Sequence, residues 1–85
     1  MEEALQVAEN YRLVALRMHK KDKDFENAIA YYKRAVRILE GADKSHVLTR
    51  SQYFARLLLQ YGNALLRAGL EKNAKEQFRK AEHIG

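Results

Sequence analysis

One pattern occurs twice in the chain and limits what it can fold into. Ala28-(x3)-Tyr32-(x2)-Ala35 is matched by Ala74-(x3)-Phe78-(x2)-Ala81. Steps of four and three put all three side chains on one face of a helix. Two small residues a heptad apart let a neighbouring helix approach closely, and the aromatic between them is the knob that fills the contact. Phe25, Ala28, Ile29, Tyr32, Ala35, Val36 and Leu39 continue the apolar face at the same spacing. Asp24, just before the run, can cap the helix by accepting from a free backbone N–H. Such a helix needs a partner on each flank.

The rest of the chain supplies the partners. A first helix is expected from about Glu3 to Lys20, with Ala4, Leu5, Ala8, Tyr11, Ala15 and Met18 inward and Val7, Val14 and Leu16 widening the stripe. Glu2 and Glu3 at its start and Lys20 and Lys21 at its end suit the helix dipole. Gly41 offers a left-handed cap to the second helix. A long third helix is expected from Asp43 or Ser45 to about Ala68, lined by Val47, Arg50, Phe54, Leu58, Tyr61, Leu65 and Ala68. Gly69 breaks it, and a fourth helix follows from about Glu71 to Ile84, with Leu70, Ala74, Phe78 and Ala81 facing inward. Short turns between the four make neighbours antiparallel.

Composition removes several classes. Eighty-five residues make one small domain. No run approaches the ~20 apolar residues of a membrane-spanning helix. Absence of cysteine excludes disulfides and thiolate metal sites. The start Met-Glu-Glu shows no secretory signal, so a cytoplasmic location is the default expectation. The absence of proline suits an all-helical chain, and a formal charge of +5 favours acidic partners.

The second unit carries Leu58, Tyr61-Gly62, Leu65, Gly69, Ala74, Phe78 and Ala81. In this the chain resembles the tetratricopeptide repeat, a helix-turn-helix of about 34 residues. The resemblance covers residues 9–42 and 55–85. It implies an all-α fold of two stacked helical hairpins, a fragment of a right-handed superhelix. Arg12 stands where the family has a large aromatic, Leu16 where it has a small residue, and Glu40 where it has a closing proline. Ala28 and Ala74 are 46 positions apart, about 12 beyond the usual period. The extra stretch, about 43–54, reads as an N-terminal extension of the third helix. The first 40 residues are also similar, more loosely, to the MIT module, a three-helix bundle that binds helical tails of membrane-remodelling proteins.

Ile29, Ala30 and Val36 of the second helix correspond to Lys75, Glu76 and Glu82 of the fourth. An apolar face in one pair and a polar face in the other is the pattern of a stack whose last helix faces solvent. Two repeats are fewer than such stacks often need, so a homodimer through Leu13, Tyr31 or Leu59 is the alternative way to complete it.

The resemblance assigns a concave face to the first helix of each pair. Asn10, Leu13, Val14, Arg17, Lys20 and Lys21 line it from the first unit, and Arg56, Leu59, Gln60, Asn63, Leu66 and Arg67 from the second. An apolar floor rimmed by cations suits an acidic protein or peptide segment. Some relatives clamp the acidic tails of chaperones with lysine, asparagine and arginine at fixed groove sites. Here Leu13 and Arg17 replace the first lysine–asparagine pair and Gln60 the second asparagine, which argues against that clamp. His19, His46 and His83 fall near helix ends with no convergent ligands, which speaks against a metal site. For His19 and His83 the helix dipole is the expected reason. Ser45, Thr49 and Ser51 suit capping. No phosphate loop, cofactor motif or catalytic constellation is present, so an enzyme is not expected. The cations Arg12, Arg17, Lys20, Lys21 and Lys23 are interleaved with acids, which makes nucleic acid a weaker reading than protein.

Overall fold

The computed structural model describes residues 2–42 and 51–84. Among them the chain forms α1 (Glu2–Arg17), a π-helical turn (Met18–Asp22), α2 (Phe25–Ala42), α3 (Gln52–Arg67) and α4 (Glu71–Glu82), and no strand. Helix α1 packs on α2, α3 packs on α4, and α2 packs against α3. This is the all-α pair of helical hairpins that the repeated pattern demands.

The repeated positions are the core. Ala28, Tyr32 and Ala35 are fully buried, as is Ala74, and Ala81 nearly so. Tyr32 lies between the His19 and Tyr61 rings, with centroids at 6.1 and 6.4 Å. Its counterpart Phe78 is only half-buried, packed against the edge of the same core. Gly62 lets α4 come close to α3: a β-carbon built there would lie 2.6 Å from Phe78 Cε1. Val36 is buried and Ile29 half-buried, whereas Lys75, Glu76 and Glu82 are exposed, as the comparison of the two hairpins anticipates. Ala30 departs from it and is exposed.

The helix ends show local chemistry. Asp24 Oδ1 accepts from the Asn27 backbone N–H at 3.3 Å, the expected cap of α2. Ser51 is extended (φ −83, ψ 159) and its Oγ accepts from Phe54 N. This stop corrects the expected start of the third helix at Asp43 or Ser45, because the continuous helix begins only at Gln52. Residues 43–50 of the expected extension, with Ser45, His46, Val47, Thr49 and Arg50, lie outside the described residues. Gly69 adopts φ +85, and Leu70 N bonds to Leu65 O at 2.9 Å while Gly69 N bonds to Leu66 O, the double closure of a glycine-ended helix. Gly41 does not cap α2, which runs through it to Ala42. Helix α1 ends earlier than expected, at Arg17. The π turn then closes on Lys23, whose left-handed backbone (φ 57) lets Asp24 N reach Met18 O at 2.8 Å. The polar stretch Lys20-Lys21-Asp22-Lys23 marks a turn here, and its left-handed residue is Lys23 rather than a glycine.

Four inward assignments also change. Val7, Val14, Ala68 and Leu70 are exposed, Ala68 because it stands at the C-cap of α3. Val7 and Val14 lie on the side of α1 turned away from the Ala8–Ala15 contact row. Leu70 precedes α4 at its N-cap. The dipole account of His19 is replaced as well. It is buried at 6 % exposure, with its ring edge-on to Phe25 and Tyr32 and its Nδ1 3.4 Å from the Tyr32 hydroxyl. Burial, aided by the nearby cations Lys20, Arg67 and Lys23, pushes its pKa down, so it is a neutral core side chain near pH 7.

Candidate functional site

Helices α1 and α3 are fastened side by side by four polar side chains. The Arg12 guanidinium grips the Glu9 carboxylate with both Nε (2.7 Å) and Nη2 (2.8 Å). Its Nη1 donates to Gln60 Oε1 at 3.2 Å, and the Tyr53 hydroxyl donates to Glu9 Oε1. Glu9 and Arg12 belong to α1, and Tyr53 and Gln60 to α3. The two cross-links run in the same order along both helices, so α1 and α3 are parallel. Arg12 holds the Glu9 carboxyl down at about 2. Burial, then the bond to Glu9, pushes Tyr53 up to about 12. The acid beside this surface is therefore ionised and already paired at neutral pH.

The candidate binding residues follow from that fastening. Asn10, Leu13, Val14 and Arg17 are spaced at i, i+3, i+4 and i+7 and form one stripe on α1. On α3 the stripe is Arg56, Leu59, Gln60, Asn63, Leu66 and Arg67. All of these are exposed except Gln60, which is half-buried and serves the α1–α3 cross-link. Leu13, Val14, Leu59 and Leu66 keep 41–48 % of their surface in solvent, an unusual allowance for four large apolar side chains on two adjacent helices. Because the helices are parallel, Arg17 and Arg67 stand at the same end. Lys20 and Lys21 are exposed there too, but in the π turn, outside the α-helical register of the stripe. The Arg67 guanidinium sits 5.5 Å over the Phe25 ring, so part of its role is to cover α2.

Sequence reasoning did not pair Glu9 with Tyr53, and it noted Arg12 as a departure from pattern and as one of a cluster of cations. The signal was that departure: an arginine at a helix-contact position must bring a carboxylate with it. No group of three or more His, Asp or Glu side chains able to hold a metal ion occurs among the described residues. His83 lies exposed at the end of α4. Among the described helices none is long and apolar enough to cross a membrane.

A family model described as tetratricopeptide repeat matches residues 12–38 and 55–82, more than half of the chain. No curated protein and no solved structure matches it.

Proposed function

The chain belongs to the tetratricopeptide repeat family, whose repeats serve protein–protein interaction and scaffolding, and from that premise we propose that the α1–α3 face binds an acidic peptide or helix. The repeats take residues 9–42 and 55–85, and the module works by binding, without catalysis. The observation that carries the reading is the joint exposure of Leu13, Val14, Leu59 and Leu66 between basic side chains on two fastened parallel helices. Affinity comes from the apolar floor. Arg17 and Arg56, with Lys20, Lys21 and Arg67 at one end, select carboxylates and speed the encounter. Asn10 and Asn63 offer amides to a bound backbone.

The test uses a labelled amphipathic peptide with leucines on one face and Asp and Glu on the other, followed by fluorescence anisotropy at low and high salt. Reversing Arg17→Glu with Arg56→Glu lowers affinity by at least about tenfold, roughly the loss of one good charge pair. The equal reversal Lys72→Glu with Arg79→Glu on α4 leaves it unchanged. Arg67 is left intact because its removal also uncovers Phe25. Equal losses from both pairs would mean only that net charge attracts the peptide, and the groove assignment would fail.

A further inference from the structure

On the other side of α3, a recess of about 250 Å³ opens between α2 and α4. Gln77 and Tyr61 contribute its buried polar groups. Lys33, Arg37 and Lys80, all exposed, surround it, with Glu40 as its one acid. Gln77 is 9 % exposed, and its Oε1 finds no hydrogen-bond partner among the described residues. A buried carboxamide oxygen left unpaired is unusual enough to require a reason. Oxygen and nitrogen of a carboxamide exchange places on rotation about the last bond, so the same site can present an N–H₂ donor. Tyr61 is buried and remains a neutral hydroxyl, its pKa raised by burial and by Glu76 against the opposing pull of Arg37.

We propose that this recess between α2 and α4 binds a phosphate group. Lys33, Arg37 and Lys80 outnumber the lining Glu40 and the nearby Glu76, which leaves an excess of positive charge that suits an anion. Arg37 is the one side chain able to grip two phosphate oxygens in parallel. Tyr61 O–H and the Gln77 amide supply neutral donors from within, where a carboxylate, with two oxygens and one charge, would leave the set unsatisfied. The recess exceeds the ~30 Å³ share of one water several-fold, so a phosphate enters with room for its ester substituent. None of these residues belongs to the α1–α3 face.

The experiment is a titration of the isotopically labelled protein with inorganic phosphate at constant ionic strength, read by nuclear magnetic resonance at the Gln77 side-chain amide and the Arg37 Nε–H. Saturable shifts in the millimolar range at these groups are expected, and phosphoserine in a parallel titration tells an esterified from a free phosphate by whichever saturates first. Arg37→Gln weakens binding about tenfold, and Glu40→Gln tightens it, while Gln77→Met, similar in length, loses the saturable phase and keeps the fold. Opposite responses of Arg37→Gln and Glu40→Gln cannot come from a general loss of structure. Shifts that stay linear with phosphate, that are reproduced equally by acetate, or that survive Arg37→Gln unchanged would overturn the proposal.

Discussion

Gly62→Ala is the substitution on which the packing account can be held to a sign. Alanine is favoured over glycine in a helix interior by about 1 kcal/mol, so on propensity alone the change stabilises α3. The structure opposes this. The new β-carbon would lie 2.6, 2.9 and 3.0 Å from Cε1, Cδ1 and Cζ of Phe78, where carbon–carbon contacts relax at about 3.5–4.0 Å. The ring must retreat by roughly 1 Å, an overpacking that costs about 1–3 kcal/mol. Taking the middle of that range, Gly62→Ala is destabilising by about 1 kcal/mol. Phe78→Val deletes all three obstructing atoms, and in that background the propensity gain stands alone, so Gly62→Ala stabilises by about 1 kcal/mol. The coupling is therefore about 2 kcal/mol, measurable by a double-mutant cycle of urea unfolding followed by circular dichroism. If Gly62→Ala stabilises the otherwise unaltered protein, the close approach of α3 and α4 is wrong.

Two titrating side chains give further predictions. Glu9 is held at about 2 by Arg12, a depressed carboxylate, so its contribution is present above about pH 4.3 and fades as pH falls toward 2. With the pair partly exposed, Glu9→Gln is expected to cost about 1 kcal/mol at pH 7, measured by urea unfolding, and the difference from the parent should vanish near pH 2. His19 has a depressed pKa, so the unfolded chain takes up its proton first, and stability falls as pH drops below about 6.5. Replacing it with phenylalanine, which can keep the edge-on contacts to Phe25 and Tyr32, should flatten that slope between pH 7 and 5. An unchanged slope would mean that His19 is not buried as described.

What could be read from the residues follows from where the governing interactions lie. The Ala-aromatic-Ala faces, the Asp24 and Ser51 caps and the break at Gly69 are local, set by side chains within a few positions, and the structure has them all. The misreadings arise where a distant group decides. Val7 and Val14 look like core by spacing but are exposed, because α1 turns Leu5, Ala8, Tyr11, Ala15 and Met18 to the core instead. His19 looked like a helix-end side chain. Counting back the 46-position repeat from buried Leu65 arrives at His19, so the repeat itself held the answer. Gly41 resembles a cap, yet α2 continues through it. The cross-link of Glu9 and Arg12 with Tyr53 and Gln60 joins residues more than forty positions apart, and no periodicity announces such a pairing.

The central claim is that the α1–α3 face is the one that meets a protein partner. Its most direct test is methyl-labelled nuclear magnetic resonance of the protein titrated with the acidic amphipathic peptide. The methyl signals of Leu13, Val14, Leu59 and Leu66 are expected to move together and saturate at one peptide concentration, with those of buried Leu39 and Leu57 unmoved. Saturating shifts confined to α2 and α4, with these four methyls still, would contradict it.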